Sequence, residues 1–139
     1  MIVTGSTKPT IRCVGAIVHN ADGRLLLVRR RHEPDAGRWS IPGGRVEPDE
    51  TDSDAVQREV REETSLTVEP GQLCGSVVRG PYVIFDYRCA VRSGSAAAGS
   101  DAAEVRWVTA AEFAALDAAG SLVPLLADTL TGWGAGPRA

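Results

Sequence analysis

Gly44-Arg45-Val46-Glu47-Pro48-Asp49-Glu50 and the fourteen-residue run from Thr51 to Thr64, Thr-Asp-Ser-Asp-Ala-Val-Gln-Arg-Glu-Val-Arg-Glu-Glu-Thr, closed by Ser65-Leu66, form the stretch on which the fold turns. The run contains neither Pro nor Gly, and Thr51, Asp52, Ser53 and Asp54 bring the capping hydroxyls and early negative charge that suit a helix N-terminus. A helix is therefore predicted over 51–64. On it Glu59, Glu62 and Glu63 stand at i, i+3 and i+4, which places three carboxylates within an arc of about 100°. Acidic residues on a helix ordinarily mark a solvated face. Here Asp54, Gln57, Arg61 and Thr64 gather on one side, while Ala55, Val56, Val60 and Leu66 lie on the other and overlap Glu59 and Glu63. Carboxylates beside an inward face repel one another and need a cation. Arg58 meets part of that need, and a divalent metal with a taste for hard oxygen ligands, Mg²⁺ or Mn²⁺, meets the rest.

The same residues resemble a known signature. Gly44, Glu50 six positions on, and Arg58-Glu59-Val60-Arg61-Glu62-Glu63-Thr64-Ser65-Leu66 are similar to the Nudix box, Gx5Ex7REUxEExGU with U aliphatic. Of its nine specified positions only Ser65 departs, standing where the pattern has Gly. Asp49 is a softer departure, since many members carry Gly just before the glutamate. The flanks resemble the family too: Gly15-Ala16-Ile17-Val18, Leu25-Leu26-Leu27-Val28-Arg29-Arg30, and Gly37-Arg38-Trp39-Ser40-Ile41-Pro42-Gly43-Gly44, so that the likeness runs from about Val14 to Trp107.

The resemblance implies an α/β fold of the α+β kind, an α/β/α sandwich around a mixed β-sheet, with a loop-helix-loop carrying the box. It implies a Mg²⁺-dependent (or Mn²⁺-dependent) pyrophosphohydrolase in which Glu59, Glu62 and Glu63 bind metal, Arg58 holds Glu59, and Glu50 sits near the cluster. A backbone carbonyl near Gly43 or Gly44 would add an oxygen ligand. Members often use a later carboxylate as ligand or base, and Glu104 is the candidate; the general base is thus a box glutamate or Glu104. Arg29, Arg31 and Arg38 are candidates for phosphate or a distal group, Trp39 and Tyr82 for stacking on a base. Where Ser65 replaces Gly, the helix is expected to end in a left-handed residue at a cost on the order of 1 kcal/mol.

The substrate implied is a nucleoside diphosphate linked to another moiety. Pro81, fifteen residues beyond Leu66, resembles ADP-ribose-cleaving members, and Tyr82 resembles dinucleoside-polyphosphate hydrolases. ADP-ribose or a similar conjugate is the first expectation and sanitising of damaged or surplus nucleoside triphosphates the second. A third, of a different class, is a non-catalytic sensing domain, against which the intact box glutamates argue.

Outward from the box, Ile11 to Val18 is short, apolar and β-branched, as a largely buried strand is. His19-Asn20-Ala21-Asp22-Gly23 supplies turn chemistry before a second strand over 24–31, so a β-hairpin is predicted. Pro34, Gly37, Pro42, Gly43 and Gly44 exclude a regular helix over 32–44. Residues 68–78 read either way, 82–91 read as a strand, 92–103 as a flexible loop and 104–108 as a half-buried strand. Thr109 and Glu112 form a capping-box pattern opening a helix through Leu116, and a last helix is expected over 122–130. Residues 1–10 and 132–139 are expected to be loose.

Composition sets the outer bounds. The chain has 139 residues, a length suited to one domain, and is 43% hydrophobic and 24% charged. No apolar run approaches the ~20 residues of a membrane span, so no membrane partner is expected. The net charge of −3 lacks the positive excess that a nucleic-acid polymer demands; the expected partner is a small nucleotide, and homodimerisation stays open. Cys13, Cys74 and Cys89 are odd in number and form no CxxC pair, so neither a disulfide framework nor zinc is suggested. With no leader pattern at the start, a cytoplasmic location is expected.

Overall fold

The computed structural model describes residues 10–139; the loose arm expected over 1–10 lies, apart from Thr10, outside the described residues. Ten elements follow one another: β1 (Ile11–Val18), β2 (Leu25–Arg30), β3 (Trp39–Ser40), β4 (Gly43–Arg45), α1 (Asp52–Thr64), β5 (Thr67–Arg79), β6 (Tyr82–Ser93), β7 (Ala102–Val108), α2 (Ala110–Ala118) and α3 (Leu126–Gly132). They make two sheets, β4-β1-β6-β5 and β3-β2-β7. The first is mixed, with β1 parallel to β6 and antiparallel to β4. The second is antiparallel. Among the described residues no helix is long and apolar enough to cross a membrane.

The predicted β1–β2 hairpin does not form. The turn itself is as read, with the Asn20 side chain accepting from the N–H groups of Asp22 and Arg24 and with Gly23 at φ 80°. Beyond a single bridge, His19 to Leu25, the strands part into different sheets. The reason lies in β1: Cys13 through Val18 are buried without a break, and a strand buried on both faces needs cover that a solvent-facing hairpin cannot give. β1 therefore takes β4 and β6 as neighbours.

Alternation along the strands sorts the apolar residues into two cores. Val14, Ala16 and Val18 of β1, Leu26 of β2 and Val68 of β5 pack on Ala55, Val56, Val60 and Leu66 of the α1 segment. Ile17, Leu25, Leu27, Trp39 and Val108 meet Phe113 of α2 and Leu126 and Leu130 of α3. Helices thus cover both outer faces, the layered order that the resemblance implied.

Two segments expected to be loose are tied down. Between β6 and β7, the Ala97 and Gly99 N–H groups donate to the carbonyls of Thr64 and Glu63 (2.9 and 3.0 Å), and the Ser65 hydroxyl donates to the Ala97 carbonyl. A helix end leaves carbonyls unpaired, and this strap takes two of them. It also explains Thr64, read as part of the polar face but fully buried, its hydroxyl donating to the Val60 carbonyl. At the C-terminus, Ala135 is buried, Arg138 N–H donates to the Gly23 carbonyl at 2.7 Å, and the Trp133 ring occupies the space that Gly75 leaves open. Two apolar anchors in a glycine-rich tail suffice to dock it.

Candidate active site

α1 is built to hold its glutamates steady. Thr51 caps it, in a capping box with Asp54, and Asp52 is clasped by Arg12 through two bonds of 2.7 Å and by the Tyr87 hydroxyl. At the far end Ser65 adopts φ 66° in the left-handed region and donates its N–H to the Arg61 carbonyl. Asp49, the other position where many Nudix members have Gly, also stands at positive φ, 72°. Both departures keep the backbone shape that the glycine serves.

Arg58 is the hub. Its Nε and Nη2 donate to both oxygens of Glu50 (2.6 and 2.9 Å), Nη2 also to the Arg45 carbonyl, and Nη1 to Glu59 at 2.8 Å and Glu62 at 3.3 Å. The guanidinium holds Glu50 down to a pKa of about 2. Arg58 thus links three of the box glutamates in one planar fork, which a lysine could not do.

Glu63 is differently placed. It is 8% exposed, and its Oε2 accepts from the Gly43 N–H at 3.0 Å. Burial and the charge of Glu59 push its pKa upward, with Asp101 adding to the push and only the Gly43 N–H opposing. Burial likewise raises Glu59, against the pull of Arg58. Tight backbone makes this approach feasible: a Cβ on Gly44 would lie 2.5 Å from the Glu59 carboxylate, and one on Gly43 would strike the Val14 carbonyl. Space therefore requires Gly43, whereas a Cβ at Gly44 would displace the Glu59 carboxylate.

Three predicted glutamates and Gly43 therefore come together with Arg58 and Glu50. Among the described residues no three His, Cys, Asp or Glu side chains converge as a ready-made metal site; Arg58 and the Gly43 amide engage the carboxylates. The donor set nevertheless suits a hard divalent cation. Glu63 is buried, lies beside Glu59, and has no basic side chain lowering its pKa; all the donors are oxygens.

Other predicted residues fall elsewhere. Glu104 pairs with Arg29 (3.4 Å) and Arg106 (3.3 Å) and is half-exposed. Asp101, three residues earlier in the strap, is the later carboxylate whose charge reaches Glu63. Its signal in the sequence was weak, an Asp inside a Ser/Gly/Ala-rich run with no periodicity. Arg31 donates to the Ser100 and Ala102 carbonyls, and Arg38 pairs with Asp35 at 3.2 Å. Trp39, a stacking candidate, is 5% exposed and belongs to the core with Phe113, Leu126 and Leu130, with Arg106 over its ring, so it is not open to stack on a ligand. Tyr82 is half-buried at the start of β6, where Arg45 lies over its ring and donates to its hydroxyl.

The family model described as NUDIX domain matches residues 9–128. A MutT-like protein of Streptomyces ambofaciens is 38% identical over 109 residues, covering 75% of this chain and 68% of the relative. An 8-oxo-dGDP phosphatase, NUDT18, of Danio rerio is 33% identical over 68% of this chain and 30% of its own length. An ADP-ribose pyrophosphatase of Methanocaldococcus jannaschii is 35% identical over 62% of this chain and 54% of its own length. The chain thus spans two-thirds of the first relative and about a third to a half of the other two.

Proposed function

The chain belongs to the Nudix family of hydrolases, which act on anhydride bonds, and on that premise we propose that it is a Mg²⁺-dependent pyrophosphohydrolase that cleaves a nucleoside diphosphate linked to another moiety. The observation that carries the proposal is Glu63: a buried carboxylate pressed against a second one, with a backbone N–H as its sole relief. Such a site is short of positive charge. A bound divalent cation supplies that charge, neutralising phosphate oxygens and making a bound water more acidic.

The chain's own residues have distinct parts in this reading. Glu59 and Glu63, on the inner side of α1, would hold the cation. Arg58 fixes the direction of Glu59 and keeps Glu50 ionised. Glu62, less buried and bonded to Arg58 only at 3.3 Å, is the carboxylate freest to orient or deprotonate water. Gly43 and Gly44 let β4 lie against the cluster without side chains in the way. Asp101 and Glu104 are alternative later carboxylates, and the charge reaching Glu63 favours Asp101.

ADP-ribose or a similar conjugate is the first substrate, supported by the archaeal relative. Nucleoside di- or triphosphates, oxidised ones included, are the second, supported by the relative that acts on 8-oxo-dGDP. The test is to incubate the protein with Mg²⁺ or Mn²⁺ and ADP-ribose, diadenosine polyphosphates, 8-oxo-dGTP and ordinary nucleoside triphosphates, and to identify the products. Glu62→Gln and Glu63→Gln are expected to lower turnover by orders of magnitude with the circular dichroism spectrum unchanged. Wild-type turnover in both variants would remove the metal assignment.

A further inference from the structure

Asp86 sits in the middle of β6 and has no part in the chemistry above. It is 4% exposed, and its Oδ1 is a buried oxygen with no hydrogen-bond partner among the described residues. Leaving such an atom unpaired costs about 1–3 kcal/mol, so a fold would discard it for any apolar residue unless something uses it.

Its neighbours on both adjacent strands are glycines. In the register of the sheet, Gly75 of β5, Asp86 of β6, Gly15 of β1 and Gly43 of β4 form one row. The Asp86 Oδ1 occupies the place where a Cβ on Gly15 would be, with Ile41 beside it, and the Trp133 ring fills the space over Gly75. Strand pairing puts Gly15 and Asp86 on the face that β1 shares with Ile17, the face away from α1. Ile41 and Trp133 are only partly buried and wall the position without capping it with a polar group.

The row also measures a distance. Gly43 gives its N–H to Glu63, and Asp86 is two strands away, about 10 Å at the usual strand spacing. A nucleotide whose phosphates lie at the glutamates reaches that far with its sugar and base.

We infer that Asp86 is a specificity-determining residue that reads the substrate's base, its carboxyl meeting an edge on which an N–H donor stands next to an acceptor. The inference rests on the nucleotide reading of the site. Burial holds the carboxyl at a pKa of about 7, with Arg79 pulling the other way, so that near neutral pH it can donate through O–H as well as accept through C=O. A base edge with one donor and one acceptor satisfies both oxygens at once. A ligand without a base leaves them as they are.

The test compares binding of AMP, GMP, CMP, UMP and the base-free probe ribose 5-phosphate to the wild type, Asp86→Asn and Asp86→Leu by titration calorimetry. The wild type is expected to bind at least one nucleotide about tenfold or more tighter than ribose 5-phosphate. Asp86→Leu brings that nucleotide to the level of ribose 5-phosphate, whose own affinity does not change, and Asp86→Asn, which keeps a donor and an acceptor, restores part of the gap. A gap that survives Asp86→Leu overturns the role of Asp86 and leaves the nucleotide reading standing. A wild type that never distinguishes a nucleotide from ribose 5-phosphate overturns the nucleotide reading and this inference with it.

Discussion

Ser65 ends α1 in a conformation that costs a non-glycine residue on the order of 1 kcal/mol, and it keeps that conformation because the strap bonds its hydroxyl. Ser65→Gly removes the strain but also loses the bond to Ala97, so a net gain of under about 1 kcal/mol is expected, seen as a rise in melting temperature with turnover unaltered; a fall would mean that the hydroxyl matters more than the strain. Asp86 makes a prediction about pH. Its pKa rises from 3.8 in the unfolded chain to about 7 in the folded one, so the folded state holds the proton more tightly. Its contribution to stability is fully present below the unfolded value and is lost as pH rises through 7. Asp86→Asn cannot titrate, so thermal unfolding should show the variant gaining on the wild type from pH 4 to pH 8, with little further change above. A constant difference across that range would show that Asp86 is ionised throughout. These two residues also differ in legibility. Ser65 could be read in advance, because a left-handed helix end is local chemistry. Asp86 could not, because a lone Asp in an aromatic strand gains meaning only from the glycines on neighbouring strands.

At the scale of elements, α1 was the most legible, its capping hydroxyl, bounds and glutamate spacing all following from residues a turn apart, while the Thr51–Asp54 capping box emerged only in the structure. β1, β2 and β6 were found within one or two residues, β1 running over Ile11–Val18 as read, whereas β5 covers a stretch that read either way and β3 and β4 lie in what read as a loop. What local pattern could not provide was pairing, and the hairpin expected after β1 failed because the partner that buries its second face lies far along the chain. The strap from Gly94 to Asp101 was missed for a related reason: its order comes from carbonyls at the end of α1, so its own Ser/Gly/Ala composition carries no trace of them. The strap passes so close that a Cβ on Gly99 would overlap the Glu62 carbonyl. Gly99→Ala should therefore lift the strap and displace Asp101 while the helix persists. The measurement is hydrogen exchange at the Ala97 and Gly99 amides alongside turnover; faster exchange with full activity would show that Asp101 has no role.

Across the whole molecule, the shortage of positive charge around Glu63 predicts coupling between cation and stability. Mg²⁺ at about a hundred times its dissociation constant should stabilise the wild type by roughly 2.7 kcal/mol, raising its melting temperature, and Glu63→Gln should lose most of that rise. An equal rise in both proteins would place the cation elsewhere. The parallel pairing of β1 with β6 has a consequence of another kind, in time rather than in energy. Ile11 pairs with Tyr82, 71 positions later, and Val18 with Cys89. During synthesis at about 5–20 residues per second, the most apolar strand of the chain emerges early and then waits several seconds for its partner to leave the ribosome. Throughout that interval Cys13 to Val18 have only short β4 to pair with, so the nascent protein is most exposed to aggregation and to chaperones before its second half exists.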